Sequence, residues 1–204
     1  MGQKSSRPAR APDRLIVGIS GASGIAYGIR LLEVLKGGGI ETHLVMTRAA
    51  EMALAYETDR KLADLRALAH TSYAIGDVGA AIASGSFRTM GMVILPCSIK
   101  SMSEIATGVT GTLLSRAADV VLKERRRLVI AVRETPLHGG HLRNLAALAD
   151  LGAIIAPPVP AFYPRPKSVQ EIIDHTVGRM LDLFDIDNDL VTRWQGGKPE
   201  KKKP

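Results

Sequence analysis

Apolar and polar positions alternate along the chain on two length scales. Short runs rich in Leu, Ile and Val occur at 14–20 (RLIVGIS), 41–47 (ETHLVMT), 92–96 (MVILP), 127–132 (RLVIAV) and 152–157 (GAIIAP). Each is nearly continuous rather than alternating, the pattern of a strand buried on both faces. A weaker strand is predicted at 71–75. Between the runs lie segments with apolar residues three and four apart, which predict helices at 24–36, 48–56, 60–69, 77–83, 98–106, 111–125, 139–150 and 168–184. In the last of these, Val169, Ile173, Val177, Met180 and Phe184 form the expected apolar stripe, with Arg179 at its margin. Strand and helix alternate, so the expected fold is α/β: a doubly wound parallel sheet in a three-layer αβα arrangement, with ligands beyond the carboxyl ends of the strands.

The strand ends carry the candidate chemistry. The first run passes into "GISGASGIAYG" (18–28), a Gly- and Ser-rich strand-to-helix turn. Amides left free at such a helix start attract anions. The turn is neither a dinucleotide fingerprint nor a P-loop: its glycines run G-x-x-G-x-x-G, and no Gly-Lys-Ser/Thr follows. Taken singly, it is an ordinary serine-capped turn. The second strand ends at Thr47 and Arg48, and the third enters a helix through Ser98, Lys100, Ser101 and Ser103. Hydroxyls at three strand ends of one sheet, with two cations beside them, suit a mononucleotide phosphate or the polar edge of a flavin.

Later strand ends are charged or rigid. Arg133 and Glu134 follow the fourth run and are expected to point into the cleft, where Arg suits phosphate and Glu suits proton transfer. His138 and His141 lack a third ligand at a familiar metal spacing, so capping or surface roles are expected. Four prolines between 157 and 164 stiffen the loop that presents Phe162 and Tyr163. Lys123 closes a helix in "LKERRR", where cations complement the helix dipole.

Composition narrows the picture. The net charge of +7 suggests nucleic acid until it is located. Residues 1–13 carry a net +2 and residues 196–204 a net +3, leaving only +2 on the body between them. Both basic segments have the Pro-, Gly- and Lys-rich composition of disordered tails around a single domain at 14–195, so nucleic-acid binding is not expected. Aromatic residues make up 4%, too few for base-stacking platforms. The single cysteine, Cys97, permits no internal disulfide and suits a reducing compartment. No secretory leader and no membrane-spanning run is found, and a cytoplasmic location is expected.

The blocks "GISGASG", "ETHLVMTRAA", "ETD", "SGSF", "MVILPCSIK", "SRAADVVLKERR", "VRETPLH" and "PAFYPRP", in this order, resemble the UbiX-type flavin prenyltransferase family over about Arg14 to Gln195. The resemblance implies a flavodoxin-like fold and a metal-independent reaction. In it, dimethylallyl monophosphate alkylates reduced FMN at N5 and then closes a ring at C6. The product, prenylated FMN, would serve a UbiD-type decarboxylase, commonly in ubiquinone synthesis. A homododecamer with sites built from several subunits is also implied. The family's FMN contacts fall on Gly21, Ala22, Ser23, Thr47, Ser98, Ile99, Lys100, Ser101 and Arg133. Its prenyl-phosphate contacts fall on Lys123, Glu134, Tyr163 and Arg179, and Ser23, Glu57, Lys123 and Glu134 take catalytic positions. The phosphate of FMN is expected at the first turn, on Ser23 and its neighbouring amides. Thr47 stands where serine is more usual, and Arg127 where proline is common. Two other readings stay open: a flavin-dependent decarboxylase, and a non-catalytic FMN carrier, which would need one phosphate site rather than two.

Overall fold

The β-branched runs form strands because side chains on both faces of each find a helix to pack against. The computed structural model describes residues 13–196. The basic tails expected at 1–13 and 196–204 lie, apart from Asp13 and Gly196, outside the described residues. The strands are β1 (Arg14–Ile19), β2 (Glu41–Met46), β3 (Thr71–Tyr73), β4 (Gly91–Cys97), β5 (Arg127–Val132) and β6 (Ile154–Ile155). The helices are α1 (Ile25–Gly37), α2 (Arg48–Glu57), α3 (Leu62–Arg66), α4 (Ile99–Ala106), α5 (Leu113–Lys123), α6 (Gly139–Asp150) and α7 (Val169–Asp182).

All pairings are parallel, in the order β3-β2-β1-β4-β5-β6. Without the edge strand β3, the remaining five follow the flavodoxin order 2-1-3-4-5. Successive residues of a strand enter opposite layers. In β1, Leu15, Val17 and Ile19 pack with α1 and α7, whereas Ile16 packs with α4 and α5. In β5, Val129 and Ala131 join the first layer, and Leu128, Ile130 and Val132 the second. Every residue of β4 is buried. Among the described residues, no helix is long and apolar enough to cross a membrane.

Several expectations change in extent. The helix expected at 77–83 is turns and one 3-10 turn, Ala81–Ala83, and the helix expected at 60–69 contracts to α3. The strand expected at 152–157 keeps only two paired residues. Val169 opens α7 exposed, outside the stripe formed by Ile173, Val177, Met180 and Phe184. Gly28 is required by close approach: a Cβ there would lie 2.6 Å from the carbonyl of Leu95, so α1 sits directly on β4.

One polar cluster interrupts the apolar layers. His43, buried on β2, bonds Glu41 through Nε2 (3.0 Å) and the Tyr73 hydroxyl through Nδ1 (2.9 Å). Arg14 donates to Glu41 at 3.0 Å and stacks over Phe87. Burial depresses the His43 pKa below its ordinary 6.5, against the opposing charge of Glu41. Burial raises the Glu41 pKa, but the hydrogen bond and charge of Arg14, with the contribution of His43, together outweigh it and hold the carboxyl below 4.5. The two groups therefore act on stability in the same direction. The unfolded chain takes up the histidine proton first, so the His43 contribution is complete above pH 6.5 and is lost as pH falls below it. The Glu41 contribution is lost only below 4.5. Urea midpoints are predicted to fall between about pH 7.5 and 5.5, and His43→Gln to flatten that slope. An unchanged slope in the variant would assign the effect to another group.

Candidate functional site

The site begins with one buried hydroxyl. Ser20, fully buried just past β1, donates its Oγ–H to the carbonyl of Pro96 (3.3 Å) and accepts the amide of Ser98 (2.7 Å). The Ser20 amide also donates to Pro96 at 3.1 Å. This ties together the carboxyl ends of β1 and β4, from which α1 and α4 leave to opposite faces. A doubly wound sheet opens its ligand crevice at such a switch point.

A cavity of about 360 Å³ lies there, within the size range of small-molecule sites. Three helices start on it. Thr47 caps α2 by accepting the amide of Ala50 (3.1 Å), and Ser98 caps α4 by accepting that of Ser101 (3.3 Å). Thr112 caps α5 in a reciprocal pair with Ser115. The caps leave other first-turn amides without a helical partner, and the positive ends of the helix dipoles add to them. Arg48 and Lys100 also line the cavity, with Lys100 held at 2.5 Å by Glu104. Gly21 lines it too, and there a Cβ would fall 2.2 Å from that of Ala49, so only glycine lets the first loop meet α2. Hydroxyls, amides and cations around a partly apolar space fit a phosphate-bearing flavin. Cys97 below is no nucleophile, since full burial pushes its thiol up to about 12.

Of the residues expected to bind FMN, Gly21, Thr47, Ser98, Lys100 and Ser101 line this cavity. Ile99 opens α4 beside them, while Ala22 and the exposed Ser23 stand outside the lining. The first turn holds an anion different from the expected one. Glu57, at the end of α2, accepts the amides of Gly24 (2.9 Å) and Ile25 (3.1 Å) with a single carboxylate oxygen. The start of α1 is thus capped from within the chain, and the hydroxyl-capped starts of α2, α4 and α5 face the cavity instead. Gly24, with φ of 100°, supplies the left-handed turn that brings this about.

The remaining residues stand apart. Arg133 and Glu134 follow β5 exposed; the Arg133 amide bonds Cys97, and Glu134 bonds its neighbour Thr135. Neither lines the cavity, contrary to the expectation that they point into it. Lys123 ends α5, eleven residues beyond the cavity-lining Thr112, which puts it roughly 16 Å away along the helix. There it pairs with Glu124 at 2.7 Å. Tyr163 and Arg179 gather around α7. His138 caps α6, its Nδ1 accepting the amide of Gly140 at 3.0 Å, and stacks on His141. Sequence reasoning missed Gly111, Thr112 and Glu104; the Thr-x-x-Ser step before "LLSRAADVV" is the signal that marks Thr112 as a cap.

A profile of the Flavoprotein family matches residues 3–195. Flavin prenyltransferase UbiX of Escherichia coli (strain K12) is 59% identical over 186 residues, covering 90% of this chain and 98% of the relative. The crystal structure of AnUbiX (PadA1) in complex with FMN and dimethylallyl pyrophosphate superposes with a TM-score of 0.90 at 48% identity, covering 92% of this chain and 100% of that one. A dodecameric FMN-dependent UbiX-like decarboxylase from Escherichia coli O157:H7 superposes at 0.88 with 46% identity, covering 90% and 100%.

The capping role of Glu57 makes a direct prediction. Glu57→Ala frees two amides and is expected to cost about 1 kcal/mol of stability, as loss of a helix cap does, read as a lower denaturant midpoint with unchanged slope. Unaltered stability would show that the carboxylate is not needed to finish α1.

Proposed function

The chain belongs to the flavin prenyltransferase family, and on that premise we propose how its residues divide the work. The reaction moves a dimethylallyl group from its phosphate to N5 and C6 of reduced FMN, the carbon–oxygen bond to phosphate breaking as the bond to N5 forms. Thr47, Ser98 and Ser101, with the first amides of α2 and α4, hold the phosphate of FMN. This assignment replaces the first turn, and the supporting observation is that Glu57 already occupies the start of α1. Gly21, Ala22, Ser23, Ile99 and Lys100 border the same ligand, and Arg133 reaches it from the end of β5.

Arg179, Lys123 and Tyr163 meet the prenyl phosphate. The two cations take up negative charge as phosphate leaves, the largest electrostatic demand of the step, in place of a metal ion. Tyr163 walls the allylic group from water, and Glu134 moves a proton. Lys123 stands at the far end of α5 from the cavity, so it serves the site of another copy in a homododecamer. The prenylated flavin then passes to a UbiD-type decarboxylase. We place the enzyme in the cytoplasm and take the monophosphate as the donor.

Thr47→Asp separates the phosphate role from the structural one. Aspartate caps a helix as well as threonine, so folding is kept, but its charge faces the bound phosphate. FMN affinity is expected to fall by at least about tenfold in a titration, or 1.4 kcal/mol. Undiminished affinity would move the phosphate elsewhere. Anaerobic incubation with reduced FMN and dimethylallyl monophosphate should yield a flavin of higher mass and altered absorbance, and yield should survive EDTA. A flavin returned unchanged would favour the carrier reading. Loss of product on chelation with recovery on added Mg²⁺ would overturn the metal-free assignment.

A further inference from the structure

The described residues after α7, 183–196, form no regular element, yet side chains tie them firmly to it. Asn188 Nδ2 donates to the carbonyl of Gly178 (3.3 Å) and to Asp182 Oδ1 (3.1 Å). Further along, Arg193 closes a fork on Asp182, with Nη1 to Oδ2 at 3.1 Å and Nη2 to Oδ1 at 2.9 Å. Arg179 Nη1 donates to the same Oδ2 at 2.6 Å. One residue before the fork, the carbonyl of Thr192 accepts the Tyr163 hydroxyl (2.9 Å), which also meets His175 Nε2 (3.0 Å). The ring of Trp194 packs edge-on against Tyr163.

Two guanidiniums thus share one carboxylate. Asp182 is the shielded member, 14% exposed, against 53% for Arg179 and 54% for Arg193. Burial opposes its ionisation, but the hydrogen bonds from Arg193 and Arg179 outweigh this and hold its carboxyl below the usual range. The trio keeps a net positive charge, more than packing the segment requires, since exposed ion pairs contribute little stability. What the arrangement supplies is orientation. Arginine is long and loses much rotamer freedom when held, and a fixed carboxylate meets that cost before a ligand arrives. Only one nitrogen of Arg179 is used on Asp182, so its other N–H groups are left for an anion, which guanidinium binds bidentately.

We propose that Asp182 is a positioning residue. Anchored by Arg193, it sets the guanidinium of Arg179 for the prenyl phosphate, while the same strap, through Thr192 and Trp194, sets Tyr163. The proposal rests on the functional reading above, in which Arg179 and Tyr163 meet that phosphate.

The test uses the full-length protein, anaerobic reduced FMN and dimethylallyl monophosphate, with stopped-flow absorbance read over a range of donor concentrations. Asp182→Asn is expected to raise the half-saturating donor concentration about tenfold, the loss of one charge-assisted contact, with the maximal rate and FMN affinity nearly unchanged. The double variant with Arg179→Ala should be no worse than Arg179→Ala alone, because Asp182 acts through Arg179. Arg193→Gln, at an exposed side chain that folding tolerates, should shift half-saturation the same way by severalfold. Wild-type half-saturation in either single variant, or additive effects in the double variant, would overturn the proposal while leaving the enzyme reading intact. A wild-type protein that forms no prenylated flavin would overturn the enzyme reading, and this proposal with it.

Discussion

The upper edge of the sheet is organised by the Ser20 hydroxyl. It is fully buried, and both of its hydrogen bonds cross from β1 to β4. A buried amide without a partner costs as much as a lost hydrogen bond, so the Ser98 amide depends on this side chain. These two strands are where the chain reverses its winding: α1 packs in one layer and α4 in the other. Fixing their ends together fixes where α4 starts, and therefore where the Ser98 cap and the amides after it stand. Gly21 follows at once and must lie against Ala49, which sets α2 relative to α4. A single polar side chain thus places two of the helix starts that face the cavity.

Charge at this edge is divided between uses within the chain and uses left for a ligand. Glu57 satisfies the start of α1, and Glu104 holds Lys100, so neither group faces the cavity as an uncompensated charge. Capping hydroxyls at Thr47, Ser98 and Thr112 are neutral. They finish their helices without cancelling the dipoles, and the site stays attractive to an anion. A carboxylate cap at all of these positions would build equally stable helices and a worse phosphate site.

The central strands were legible in the sequence because burial on both faces leaves a nearly unbroken apolar run. The edges were not: β6 has two paired residues, and 77–83 lacks the length to hold a helix without packing support. At the site, the hydroxyls announced themselves as caps at strand ends. The bond from Glu57 to Gly24 spans 33 residues and leaves no local pattern, so the sequence alone presents the first turn as open to a ligand. Lys123 misled in a different way. Sequence blocks mark it as functional, but only the length of α5 shows which end of the molecule it occupies.

That length carries the last step of the synthesis. An α-helix does not shorten, and Thr112 at one end of α5 is fixed by its reciprocal cap and by the bond from the Leu113 amide to Ile75. Arg126, just beyond Lys123, is fixed at the other end by bonds to the carbonyls of Gly85 and Phe87 at 2.6 and 2.8 Å. Lys123 therefore has no route to the cavity of its own chain short of unfolding the layer. If Lys123 meets the leaving phosphate, as proposed above, catalysis and assembly are one property, since the end of α5 would then have to come from another copy in a closed symmetric oligomer. The exposed Phe162 and Val159 on the proline-stiffened loop are consistent with this. An allylic cation needs a dry enclosure, which on the reading proposed above a neighbouring copy would help to complete.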